Sequence, residues 1–134
     1  MPFKPLSILT AAICLILSGV WFAIPDWILS HWHVAYLEGG ELVSRRMACL
    51  FLALSVILFN LRNLRSQEAR QALGKGIIVA CMTLIGLGFY ERISGHAGNG
   101  IFVAVGIESA ICLAFLTVER FSDQAVAEPA AQFR

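Results

Sequence analysis

The stretch Gly98 to Thr117, GNGIFVAVGIESAICLAFLT, constrains this chain most. It is twenty residues long, apolar almost throughout, and carries one carboxylate, Glu108, near its middle. A run of that length and composition spans the hydrocarbon core of a bilayer as a helix. A carboxylate at mid-depth costs at least about 2.5–3.5 kcal/mol on insertion scales, so a partner inside the protein is expected to receive it.

The rest of the chain supports a membrane setting. Hydrophobic residues make up 58% of the 134 positions and charged residues only 14%, with a mean hydropathy of +0.76. A soluble domain of this size needs more polar surface, so the surplus apolar area is expected to face lipid. One domain, 1–134, fits the length. The net charge of +1 gives no case for nucleic acid. The four cysteines, Cys14, Cys49, Cys81 and Cys112, fall one in each apolar run and read as small packing hydrophobes. No CxxC and no Cys/His cluster with ligand spacing is present, so no metal is expected.

Four spans are predicted, at about 6–24, 41–61, 76–91 and 98–118, followed by a loose tail over 121–134. Leu6 to Ile24 is nineteen residues long and ends at Pro25. It lacks the short core and small-residue site of a cleaved signal and reads as a retained helix. Trp21, Trp27 and Trp32 crowd its exit, as interface anchors do. Asp26 to Leu37 is too polar and too short to span, and reads as a short helix lying in the interface. Ile28, Leu29, Trp32, Ala35 and Tyr36 would share one face of that helix. The uncharged part of the second span, Met47 to Asn60, covers only about 21 Å of a core about 30 Å thick. The helix must therefore extend back through Arg45 and Arg46, which then sit within or just under the headgroups. The basic loop, with Arg62, Arg65, Arg70 and Lys75, assigns its side to the cytoplasm, and with it both termini.

Several polar constellations are read from this layout. Arg46, or Arg45, reaching down from the second span can meet Glu108 reaching up from the fourth. Ser55, Thr83, Tyr90 and Ser109 are candidate hydrogen-bond donors to that pair, which needs them if buried. Glu91, closing the third span beside Arg92, reads as an interface anchor or as a further member of one network with Arg45, Arg46 and Glu108. Gly106, Ala110 and Ala114 repeat every four residues, the small-xxx-small pattern that lets helices approach closely. On this reading one face of the last span packs and the opposite face carries the charge. His31 and His33 stand two apart and point different ways on a helix, so they read as interfacial rather than as ligands. All three histidines lie outside the spans, which speaks against haem. No Ser/His/Asp arrangement, GxSxG, P-loop or dinucleotide fingerprint supports an enzymatic assignment.

The proline closing the first span, Pro25, the arginine opening the second in SRRMACLFLALSVILFN and the glutamate of GIESAICLAFL carry a resemblance. The layout resembles the DoxX-like and related four-helix bacterial membrane families over about residues 6–118. A glycine often follows that arginine in these families, and Met47-Ala48 stand there instead. The resemblance implies a four-helix bundle in the bacterial inner membrane, with quinone-linked sulfur oxidation in some members.

The fold expected is all-α, four membrane helices with an interfacial helix in the first loop. Three functions are carried forward. The first is an accessory or scaffold subunit of a larger membrane complex, its bundle fixed by a buried Arg–Glu pair. The second is an oligomeric small transporter with Glu108 as coupling carboxylate. The third is a membrane oxidoreductase or isomerase acting on a quinone or other lipid, with His31, His33, Glu91 and Arg46 around an outer-leaflet pocket, which predicts a lipid-shaped cavity opening near Trp27 and Trp32. No tightly held cofactor is expected. The partners expected are the bilayer and a protein partner or further copies of the chain.

Overall fold

The computed structural model of the chain describes residues 3–34 and 40–131, with only the backbone of Glu41 and of 119–131. It holds α1 (Phe3–Ala23), α2 (Pro25–His31), α3 (Gly40–Asn60), a 3-10 turn (Leu61–Asn63), α4 (Gln67–Ile93) and α5 (Ile101–Ala131). Four of these helices are long and apolar enough to cross a membrane. Only 22–33% of each apolar window is buried within the bundle. Side chains such as Leu50, Val79 and Leu113 point outward, where hydrocarbon rather than water suits them. The protein is thus a small multi-pass membrane protein.

Each boundary has a local cause. Pro25 stands at the start of α2, where its missing N–H leaves nothing unmet. The chain therefore turns out of α1 and restarts at once. α2 stops at His31, short of the expected Leu37, because His33 takes a left-handed backbone (φ 57°). His33 N–H then donates to Ser30 O and Val34 N–H to Leu29 O, the paired bonds of a Schellman ending. Ala35 to Leu37 lie outside the described residues. α4 begins at Gln67 rather than Gly76, since Ser66 caps it by accepting from Ala69 N–H. α5 continues as helix through 121–131, where the sequence suggested a loose tail.

The spans pack as two antiparallel pairs, α1 with α3 and α4 with α5, and α1 also touches α5. On α1 the buried stripe is Ser7, Ala11, Cys14 and Ser18, a 4-3-4 spacing that keeps one face toward α3. It meets Ser44, Ala48, Ser55 and Leu58 of α3. Three hydroxyls cross this seam to main-chain carbonyls: Ser7 to Leu58 O, Ser55 to Ala11 O and Ser18 to Ala48 O, each at 2.8 Å. Such bonds are worth about 0.6 kcal/mol each in a membrane, and the small side chains bring the helices close. On α5 the inward stripe is Ile101, Val105, Cys112 and Phe115, again at spacings of four, seven and three. The core is densest toward the basic loop, where Leu6, Leu58 and Phe115 are almost wholly enclosed.

Candidate functional site: a tryptophan-rimmed cleft

At the other end the bundle is less filled. A cleft of about 230 Å³ opens between α1, α2 and α5, lined by Leu17, Val20, Trp27, Ile28, His31, Trp32, Val103, Ala104, Ile107 and Glu108. Glu108 occupies the inward heptad position between Val105 and Cys112, and it is half-buried. The face reading of the last span is thereby turned round. The carboxylate side lies toward the bundle, while Gly106 and Ala110 are exposed, with open space over Gly106. Ala114, one turn on, is half-buried against the core.

The cleft wall is held from two sides. Trp32 meets Trp21 edge to face, ring centres 5.8 Å apart. Trp27 stacks on His31 at 6.1 Å, the rings within 13° of parallel. The turn between α4 and α5 docks on the end of α2: Gly98 N–H donates to Trp32 O. Glycine is required at this junction. A methyl on Gly98 would come 2.6 Å from the His33 ring, and one on Gly100 would run into the backbone carbonyl of His31. Two polar contacts brace the turn itself. Glu91 pairs with His96 at 3.0 Å, and Arg92 Nε donates to Asn99 Oδ1 at 2.8 Å.

These contacts correct the expected Arg–Glu pair. No arginine pairs with Glu108 among the described residues. Arg46 is exposed, as is Arg45, whose own interaction lies elsewhere than Glu108. The reason is adjacency: α3 packs against α1 and α5 against α4, so equal depth does not bring Arg46 and Glu108 together. Glu91 and Arg92 turn to His96 and Asn99 instead of joining a network with Glu108. The donors expected around the pair are engaged locally. Ser55 bonds Ala11 O across the seam, whereas Thr83 bonds Val79 O and Ser109 bonds Val105 O within their own helices. Tyr90 is exposed. Glu108 is left without a hydrogen-bond or ion-pair partner among the described residues, facing an apolar cleft.

Comparison with protein-family models, curated proteins and solved structures finds no match. The site therefore speaks through its own chemistry. Ile28, Ala104 and Ile107 offer an apolar surface, Trp27 and Trp32 flat rings, and Glu108 and His31 two hydrogen-bonding groups. That combination suits a molecule with a polar planar head and an apolar body. The sequence suggested a cavity near Trp27 and Trp32 with His31, His33, Glu91 and Arg46 around it, and gave Glu108 a separate role; of those four only His31 lines the cleft. The structure lines one cleft with Trp27, Trp32 and Glu108.

Proposed function

We propose that this protein binds the head of an amphipathic, lipid-like molecule of the quinol class in the tryptophan-rimmed cleft, with its tail left in the bilayer. The observation that carries the reading is Glu108, an ionisable side chain without a described partner, lining an apolar cleft of about 230 Å³ beside His31. A carboxyl group so placed has lost water and has no donor among the described residues, an expensive arrangement. A ligand hydroxyl donating to Glu108 relieves it, and His31 supplies a second polar contact nearer the interface. Trp27 and Trp32 give a planar head surfaces to lie against. On this reading the protein is a quinol-binding member of the bacterial inner membrane, with the basic end of the bundle and both termini facing the cytoplasm.

A second reading is favoured by the exposed Gly106 and Ala110. They leave room for another helix to lie close along α5. The protein then serves as an accessory subunit of a larger complex, or as an oligomer, and delivers or holds its ligand for a partner.

The chain's three tryptophans are Trp21, Trp27 and Trp32; two line the cleft and the third packs on its wall, so tryptophan fluorescence reports on the cleft. Titration of the detergent-solubilised protein with a short-chain benzoquinol should quench it saturably. Glu108→Gln should weaken half-saturation about tenfold, the size expected for a hydrogen bond to a charged group. Quenching that rises linearly without saturation, or is equal in Glu108→Gln, sinks the proposal. A larger protein copurifying with wild type but not with Gly106→Leu would favour the subunit reading.

A further inference from the structure

The opposite end of the molecule carries a different pocket. It measures about 320 Å³ and is lined by Phe3, Lys4, Arg62, Asn63, Leu64 and Arg70. Three chain segments converge there: the first turn of α1, the 3-10 turn and the first turn of α4. Among the described residues three cations line it and no carboxylate does. Glu68, the acidic residue in the first turn of α4, is exposed and lies outside the lining.

Both arginines are held in place, and neither forms an ion pair among the described residues. The Arg62 guanidinium lies 3.8 Å over the Phe59 ring, and its Nη1 donates to Phe59 O at 2.5 Å. Arg70 Nε donates to Leu64 O at 2.5 Å, with its guanidinium 5.7 Å from the Phe3 ring. A guanidinium carries five N–H donors, so most donors on each remain for a ligand. Side chains fixed in advance lose little further freedom on binding. Arginine forks match the geometry of phosphate oxygens.

Below this pocket an apolar groove of about 380 Å³ runs between α1 and α3, with Ile8, Ala12, Leu15, Val56 and Phe59 among its walls. The two adjoin at one contact. Phe59 lines the groove and carries Arg62 on its ring. Lys4, Ile8, Ala12 and Leu15 follow one another at helical spacing along one face of α1. A phosphate at headgroup depth with an acyl chain beneath it fills both at once.

We propose that this end of the protein is a binding site for an anionic phospholipid, its phosphate held by Lys4, Arg62 and Arg70 and one acyl chain seated in the α1–α3 groove. Basic pockets between membrane helices bind such headgroups through this combination of charge and hydrogen bonding. The site stands apart from the tryptophan-rimmed cleft and does not depend on the ligand proposed there.

The test is thermal unfolding of the delipidated protein in detergent, with added phosphatidylglycerol, phosphatidylcholine or inorganic phosphate. Phosphatidylglycerol should stabilise wild type saturably, and the other two should not. Each arginine lost should raise the half-saturating lipid fraction about fivefold, so Arg62→Gln/Arg70→Gln should show a large shift and the exposed control Arg65→Gln little. Ala12→Phe, which fills the groove and keeps the cations, should weaken the effect as well. Equal stabilisation by phosphatidylcholine, or an unchanged response in the double variant, overturns the proposal. A full response to inorganic phosphate overturns the lipid assignment and leaves free phosphate as the occupant. Should the double variant fail to fold, native mass spectrometry of wild type decides. A retained anionic phospholipid at one per chain supports the site, and its absence from protein extracted gently overturns it.

Discussion

Three serine hydroxyls, Ser7, Ser18 and Ser55, reach across from one helix to the backbone of the other where α1 meets α3. Where α4 meets α5 the hydroxyls of Thr83 and Ser109 stay on their own helices, and contact is made by shape. Gly88 is buried against Val105, whose Cγ2 would lie 2.7 Å from any added methyl. The first seam is polar, narrow and specific in register, since a slip along the helices breaks all three bonds together. The second is a fit of small against branched apolar groups, with Gly88 giving Val105 its room. Two solutions to the same problem thus sit side by side. Lipid tails are as apolar as leucine, so neither seam can rely on burial from water.

This contrast can be broken from either side. The largest effect is expected from Gly88→Leu, which forces α4 and α5 apart and should cost about 3 kcal/mol, read by reversible unfolding in mixed micelles. If Gly88→Leu is tolerated, the second seam does not depend on shape. The triple variant Ser7→Ala/Ser18→Ala/Ser55→Ala should cost about 2 kcal/mol, while Thr83→Ala/Ser109→Ala should change stability by less than about 0.5 kcal/mol. Equal losses for the two sets would erase the distinction drawn between the seams. Gly100→Ala should cost about 1–2 kcal/mol and lift the α4–α5 turn from α2. Its signature is a change in the near-ultraviolet dichroism of the Trp21–Trp32 pair, and an unaltered spectrum would mean the turn does not hold the cleft wall. Glu91→Gln should also have a small effect on the same unfolding measurement. Its partner His96 is 67% exposed, and exposed pairs contribute about 0–1 kcal/mol.

Hydropathy and punctuation were enough to read the spans and the break at Pro25, because a bilayer imposes length and polarity on any helix that crosses it. Pairing is a different kind of information. Arg46 and Glu108 were matched by depth, but depth leaves open which helices are neighbours and which way each faces. The clue to the first seam was present in the sequence as Ser7, Ala11, Cys14 and Ser18, set against Ser44, Ala48, Ser55 and Leu58. It is a quiet signal, since small residues at heptad spacing carry no charge to draw the eye. The cleft was legible only in pieces. Its walls come from three helices, and Trp27 and Trp32 reach Glu108's neighbourhood only because His33 ends α2 early and Gly98 docks on it. The basic pocket likewise needed the turn at Leu61–Asn63 to bring Arg62 beside Lys4.

The pairing of the spans also bears on how the chain is made. Each close seam joins two consecutive spans. Chains synthesised from the N-terminus fold in units as these emerge. Here the first hairpin can zip its serines before the third span has left the ribosome, and the second can close as an independent insertion. Contacts between the halves, chiefly along α1 and α5, then form last. Because the tryptophan-rimmed cleft is lined by α1, α2 and α5, it exists only after that final docking. A hairpin made alone should enter the membrane and pair correctly, yet have nowhere to hold a ligand.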